Sequence, residues 1–324
     1  MSLVNELKER IIAGGEISRE EALQLFEEPV EDVAQAADEI SEKFCGNGFD
    51  ICTIINGKSG RCSENCKFCA QSAHYNTGCT EVYDLLPTED ILREAKYNDQ
   101  QGVLRYSIVT SGKRLSDEEL DQVCESIRRI KAETDIEVCF SFGLLNEDQL
   151  RKVREAGATR AHCNLETSRR YFPEICTTHT YDQKIETLKA AVAAGLSICS
   201  GGIMGLGETL EDRVDMVFTV KELGVKSVPV NFLNPIPGTP YEKNRPLTEE
   251  EARQCVAVFR FIIPDASIRL AGGRGLLSDK GRECFQSGAN AAISGDMLTT
   301  AGITVQKDMD MLKELGYRPQ LWED

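Results

Sequence analysis

Cys62, Cys66 and Cys69 stand in the run Cys62-Ser63-Glu64-Asn65-Cys66-Lys67-Phe68-Cys69, a C-x3-C-x2-C spacing within one short stretch. Three thiolates this close can hold three corners of a cuboidal iron–sulfur cluster and leave the fourth iron without a protein ligand. An open iron is a place for a substrate to bind, whereas a four-cysteine site is closed. The bland alternatives are a zinc site completed by a fourth thiol such as Cys79, or reduced surface cysteines with no metal.

A loop of this kind needs a scaffold. From about residue 49 onward, short β-rich runs (49–56, 103–110, 136–143, 159–166, 196–204, 227–233, 267–271, 290–294) alternate with helical stretches (88–101, 116–133, 146–156, 181–194, 209–223, 248–261). This β/α alternation with about eight strands predicts a (β/α)8 TIM-type barrel in one domain; a doubly wound open sheet is the alternative. Residues 1–44 read as an N-terminal helical cap without chemistry of its own, with a capping box at Ser18-Arg19-Glu20-Glu21 and a break at Pro29. The barrel then takes residues 45–324, with no low-complexity tract or interdomain linker.

Period-2 alternation separates side chains facing the helices from those facing the lumen. In Val138-Cys139-Phe140, Ile198-Cys199-Ser200, Val230-Asn231-Phe232 and Ile268-Arg269-Leu270 the apolar neighbours point one way and the polar residue the other. The lumen side therefore collects Cys52, Ser107, Cys139, Asn164, Glu166, Cys199, Asn231 and Arg269. Barrel lumens are ordinarily filled with branched apolar side chains, and unpaired polar groups in a dry core are costly. Such a lumen is a site and not packing. Parity places Cys163 on the opposite face, with Ala161 and Leu165, as a core cysteine. Cys45, Cys79, Cys124, Cys176, Cys255 and Cys284 lack paired spacing and read as small buried residues.

Composition narrows the class. A net charge of -16 opposes binding to nucleic acid or to anionic membranes. The 13 cysteines are many and odd in number, the first residues carry no apolar signal core, and no run is long enough to cross a membrane. The cysteines thus read as reduced thiols or metal ligands in a cytoplasmic protein.

A glycine-rich turn, Gly201-Gly202-Ile203-Met204-Gly205-Leu206-Gly207-Glu208-Thr209, leads from a strand into a helix. Alone it is weak evidence; beside the three cysteines it suits the close approach of backbone to a cofactor, with Gly201, Gly202 and Gly205 as candidate contacts. The cysteine spacing resembles that of the radical S-adenosylmethionine enzymes. That resemblance implies that Glu166 accepts hydrogen bonds from ribose hydroxyls and that Phe68 flanks an adenine. With Ile54 through Gly60, Asn164-Leu165-Glu166-Thr167-Ser168, Thr177 through Tyr181, Cys199 through Thr209, Val230 through Pro240 and Arg269 through Arg274, the chain resembles the biotin synthase family over roughly residues 50–320.

That resemblance implies a radical S-adenosylmethionine barrel that converts dethiobiotin to biotin by inserting sulfur between two saturated carbons. It also implies a homodimer, served by a low-potential electron donor of flavodoxin or ferredoxin type. Carried over position by position, Cys62, Cys66 and Cys69 match ligands of the 4Fe–4S cluster that meets S-adenosylmethionine, and Glu166 stands where the family usually has an aspartate. Asn164 and Asn231 match residues near cofactor and dethiobiotin. Cys139, Cys199 and Arg269 match three of the four ligands of an auxiliary 2Fe–2S cluster that acts as sulfur donor. The fourth match fails, because Ser107 stands where the thiolate is expected, and serine is a poor substitute. Cys52, on the first strand, is the lumen cysteine left to complete the set, either around a two-iron cluster or around a four-iron cluster carrying an extra sulfide. The other readings are a different radical enzyme on this barrel, such as a mutase or maturase, and a non-catalytic iron–sulfur protein.

Overall fold

Strand pairing centres on β1 (Gly48–Lys58), whose start, Phe49-Asp50-Ile51-Cys52, alternates core-facing and lumen-facing residues. The computed structural model describes residues 2–300 and 302–322; Met1 of the expected cap, and Ala301, Glu323 and Asp324 of the expected barrel, lie outside them. Three helices precede β1: α1 (Leu3–Ile12), α2 (Arg19–Leu25) and α3 (Val30–Cys45). After it come α4 (Thr88–Gln100), β2 (Arg105–Thr110), α5 (Asp117–Glu133), β3 (Glu137–Ser141), α6 (Glu147–Glu155) and β4 (Arg160–His162). The second half holds α7 (Phe172–Ile175), α8 (Tyr181–Ala193), β5 (Ser197–Cys199), β6 (Gly202–Met204), α9 (Leu210–Glu222), β7 (Ser227–Phe232), α10 (Glu249–Ile262) and β8 (Ser267–Leu270). Last come α11 (Arg282–Phe285), β9 (Ala291–Ser294), α12 (Val305–Glu314) and β10 (Arg318–Pro319).

Parallel pairing runs from β1 through β2, β3, β4, β5, β7 and β8 to β9, and β9 closes on β1. Because β5 and β6 both pair with β7, they share one position and the ring has eight. Closure excludes the doubly wound sheet. The helices follow from apolar periodicity: in α5, Leu120, Val123, Cys124, Ile127 and Ile130 are all buried. Capping boxes start α5 at Ser116, α8 at Thr180, α9 at Thr209 and α10 at Thr248. Among the described residues no helix is long and apolar enough to cross a membrane.

Two strands are shorter than the sequence suggests. The run 159–166 contributes only Arg160–His162, and 196–204 splits into β5 and β6. The cause is a side chain that replaces a backbone partner: Gly201 N donates to Asn164 Oδ1 at 3.0 Å, which interrupts the ladder between the two segments. β10 carries no sequence signal, since a two-residue strand has no period to detect.

The N-terminal helices pack outside α10. Gln254 Nε2 donates to Leu25 O at 2.6 Å, Arg253 pairs with Glu31, and Arg19 on α2 pairs with Asp215 and Glu222 of α9. One fully buried guanidinium ties these layers. Arg260 on α10 donates to Pro264 O (2.9 Å), Ala266 O (2.7 Å), Gly288 O (2.8 Å) and Asn290 Oδ1 (2.9 Å), and touches Cys45 at the end of α3. It therefore satisfies carbonyls that no strand or helix reaches. Arg260→Met leaves them unpaired at about 1–3 kcal/mol each. The urea midpoint should fall by the equivalent of more than about 3 kcal/mol at unchanged m-value, and a loss below about 1 kcal/mol would show that these carbonyls find other partners.

Candidate functional site

The cysteine loop leaves the end of β1 and is pinned from two sides. Cys62 N donates to Gln71 O at 3.0 Å and Ala73 N to Cys62 O at 2.8 Å, closing the loop on itself. Asn65 Oδ1 accepts from Thr177 N (2.9 Å) and Thr178 N (3.2 Å), and Lys67 N donates to Ile175 O (2.9 Å), so the segment after α7 holds the loop down. Cys69 and Phe68 reach the wall of the barrel cavity, whereas Cys62 and Cys66 do not line it. Burial pushes the Cys69 thiol up to about 11, and the charges of Cys62 and Glu166 add to the shift. Cys66 Sγ lies 3.8 Å from Cys176 Sγ, a residue the sequence reading left as a small core cysteine.

Inside the barrel a cavity of about 350 Å³ opens at the C-terminal ends of the strands. Its walls bring together Cys52 from β1, Ser107 from β2, Cys139 from β3, Cys199 from β5, Asn231 from β7 and Arg269 from β8, with Asn164, Glu166 and Phe68. Cys163 does not line it and packs in the apolar core. A larger groove of about 930 Å³ beside the loop is lined by no cysteine. Burial raises the Cys52 thiol to about 12 against the opposing charge of Arg269, and raises Cys139 and Cys199 as well. Such thiols keep their protons until a metal displaces them.

The lumen also holds Arg105, Arg160 and His162, which are not among the site residues expected from the sequence. His162 shares its strand face with Asn164 and Glu166 by period-2 parity, but parity carries no information about the neighbour across the ladder. Its Nδ1 lies 3.3 Å from Cys199 Sγ, and burial lowers its pKa to about 4, so the ring is neutral. The arginines converge on Asp50 at the floor. Asp50 Oδ2 is 3.0 Å from Arg269 Nη2, 3.6 Å from Arg160 Nη1 and 3.8 Å from Arg105 Nε, and its side chain has no exposure. Burial works to raise this carboxyl, but Arg269, Arg105 and Arg160 outweigh it and hold it below the usual carboxylate range. Three guanidiniums against one carboxylate leave the floor positively charged beneath the thiols.

Of the glycine-rich turn only Ile203 lines the cavity; Gly201, Gly202 and Gly205 do not. A Cβ on Gly201 would lie 2.0 Å from Pro229 O, and one on Gly202 would lie 2.2 Å from Met216 Sδ and 2.5 Å from Glu166 O. These two glycines are thus required by packing against β7 and α9, whatever else approaches them. Gly205 has φ +102°, and its N–H donates to Glu208 Oε1 at 2.8 Å, a carboxylate also held by Arg213 Nε at 2.7 Å. Glu166 sits in the left-handed region at φ 70°, unusual for a side chain of this size. Its backbone bridges to the turn through Glu166 N to Gly201 O (3.0 Å) and Ile203 N to Glu166 O (2.8 Å), while Asn164 Nδ2 donates to its carboxylate at 3.2 Å. Asn231 is engaged at both ends, donating to Gly202 O (3.0 Å) and accepting from Gly272 N (2.8 Å).

Residues 56–220 match the Radical SAM superfamily, and residues 229–318 match the Biotin and Thiamin Synthesis associated domain. Biotin synthase from Akkermansia muciniphila is 58% identical over 321 residues, covering 99% of this chain and 100% of that protein. Biotin synthase from Brachyspira hyodysenteriae is 57% identical, covering 99% and 96%. Among solved structures, methylornithine synthase (PylB) superposes with a TM-score of 0.85 at 19% identity over 97% of both chains. The FeFe-hydrogenase maturase HydG from Carboxydothermus hydrogenoformans gives 0.83 at 17% identity, over 99% of this chain and 80% of that one. These last two likenesses show the fold alone.

The floor makes a test of its own. Asp50→Asn leaves buried guanidiniums uncompensated and should cost about 3–5 kcal/mol near neutral pH. Since the folded pKa of Asp50 lies below its unfolded value of about 3.9, its contribution is present above that pH and is lost as pH falls below it. Denaturant titrations from pH 7 towards 3 should therefore show the gap between wild type and Asp50→Asn closing; a gap independent of pH would mean that shape, not charge, sets the cost.

Proposed function

The chain belongs to the biotin synthase family of radical S-adenosylmethionine enzymes, and on that premise we propose that it converts dethiobiotin to biotin. The observation that carries the reading is one cavity that Cys69 enters from the loop and Cys52, Cys139 and Cys199 enter from the strands. Cys62, Cys66 and Cys69 would hold the 4Fe–4S cluster. The residues fit the group: three thiols come from one loop that Asn65 and Lys67 pin to the end of α7 and the segment after it, and Cys69 reaches the cavity wall. With S-adenosylmethionine bound, this cluster supplies one-electron cleavage of a carbon–sulfur bond and hence abstraction of hydrogen from an unactivated carbon.

The chain's own residues do the orienting. Glu166 offers its carboxylate to ribose hydroxyls, steadied by Asn164, and Phe68 offers a ring face to adenine from the same wall. Gly201, Gly202 and Gly205 set the backbone of the turn that borders the cofactor. Asn231 keeps one amide N–H beyond its two backbone bonds, which suits a ureido group such as that of dethiobiotin. Walls of strand side chains keep water from the reacting carbon. A low-potential flavodoxin or ferredoxin as electron donor, a homodimeric assembly and a cytoplasmic setting complete the reading; the 13 cysteines, none in a disulfide, are in keeping with a reducing compartment.

The sulfur donor is the auxiliary cluster on Cys52, Cys139 and Cys199 with Arg269 beside it. The fit rests on four observations: the three thiols share the cavity, the charge of Cys139 is felt at Cys52, that of Cys199 is felt at Cys139, and buried Arg105 Nε has no hydrogen-bond partner. A positive floor suits an anionic iron–sulfide group. Ser107 offers only a hydroxyl, and with the third thiol moved to β1 the arrangement favours a four-iron cluster with an extra sulfide over a two-iron rhomb.

Two measurements test this function. Cys62→Ala should fold normally and produce no 5′-deoxyadenosine from S-adenosylmethionine under a low-potential reductant, and undiminished production would overturn the cluster assignment. Anaerobically assembled wild type should hold about eight irons per chain, against about six for a two-iron auxiliary cluster, and Cys52→Ala should fall to about four. Full iron content and normal biotin formation in Cys52→Ala would return Cys52 to the core.

A further inference from the structure

Against the cysteine loop, outside the lining of the cavity, lies a second group of side chains of metal-ligating types. Cys66 Sγ is 3.8 Å from Cys176 Sγ, and Cys176 Sγ is 3.3 Å from His179 Nδ1. The ligand atoms of Cys66, Cys176 and His179 all lie within 4.8 Å of one another. Cys176 and His179 are buried, and Glu64 Oε2, also buried, is 2.6 Å from the same histidine nitrogen. Two thiols, an imidazole and a carboxylate on such spacings form the donor set of a tetrahedral zinc site, with metal–sulfur bonds of about 2.3 Å and metal–nitrogen bonds of about 2.0 Å.

The surroundings suit a metal as well. Glu64 belongs to the cysteine loop, while Cys176 and His179 belong to the segment between α7 and α8, so a bound ion would join two elements now held by Asn65. Phe172 packs edge-on against the His179 ring at 5.6 Å and limits its rotation. Softness of the donors favours zinc over ferrous iron, and both over magnesium.

We propose that Cys66, Cys176 and His179 form a divalent-metal site of zinc type, with Glu64 adjacent, that is distinct from the site on Cys62, Cys66 and Cys69 and shares only Cys66 with it. Binding releases to solvent whatever protons the two thiols carry and involves no change of oxidation state. Because both sites draw on the one Cys66 thiolate, a zinc ion held here competes with the loop's uptake of iron and sulfide, and cluster assembly must draw Cys66 away from it. This competition rests on the cluster reading given above; the metal site itself does not.

Cobalt(II) is the probe. Full-length protein stripped of iron anaerobically should bind one cobalt, with thiolate-to-cobalt absorption in the near ultraviolet and intense visible bands of tetrahedral geometry. Cys176→Ser and His179→Ala, checked for native circular dichroism, should weaken binding by at least about tenfold, while Cys62→Ala should leave it unchanged. Cobalt binding that survives Cys176→Ser and His179→Ala but is lost in Cys62→Ala belongs to the three loop cysteines and overturns the site, as does an absence of tetrahedral bands in wild type. Preloading wild type with zinc should slow iron–sulfur reconstitution at least about tenfold, and Cys176→Ser should relieve this; an unchanged rate in preloaded wild type overturns the competition. If Cys62→Ala cleaves S-adenosylmethionine normally, the cluster reading fails and the competition with it, while the cobalt arms still judge the site.

Discussion

Three guanidiniums on one carboxylate hold the floor of this barrel. Asp50, Arg105, Arg160 and Arg269 come from β1, β2, β4 and β8, so the ion cluster ties strands on opposite sides of the ring. A barrel of this size normally fills its lumen with branched aliphatic side chains, and here charge does that work. Charge at the floor costs desolvation, which the single Asp50 carboxylate offsets only in part for the three guanidiniums, since these also repel one another. What it leaves above is open volume bordered by thiols, with a field that favours anions. The polar lumen is thus a structural device before it is a site.

Much of this was legible in the sequence, for a physical reason. Alternation of β and α runs survives in the pattern because each strand must present one apolar face to helices, and the eight-position ring follows. Period-2 parity put Cys52, Ser107, Cys139, Cys199, Asn231 and Arg269 on one face, and they do share one cavity. Asp50 and Arg105 obey the same parity, but a charged residue near a strand end reads as solvent-facing, and only the closed ring reveals that these ends meet. Long-range pairs such as Cys66 with Cys176, or His162 with Cys199, carry no local signal.

The glycine-rich turn shows a subtler limit. Its glycines looked like room for a ligand, and a Cβ at Gly201 or Gly202 would strike the protein itself. The same residues serve packing and proximity at once, since a backbone pressed against β7 and α9 is also one brought to the edge of the lumen. Glu166 pairs with this turn in a left-handed conformation that costs of order 1–2 kcal/mol in a residue with a side chain. The neighbouring backbone bonds and Asn164 hold it there.

The splice at Asn164 has a consequence for how the barrel moves. At the floor, strands are joined by continuous ladders and ion pairs; at the rim between β4 and β6, the Gly201 amide hangs on a side-chain oxygen and the Glu166 bridge stands alone. Local opening there breaks few bonds and leaves the base intact, because opening free energies follow local connectivity and not the global stability. The barrel behaves as a stiff cup with a compliant lip on one side, and amide hydrogen exchange along its strands would read as a gradient from base to mouth, steepest where a large cofactor has to come and go.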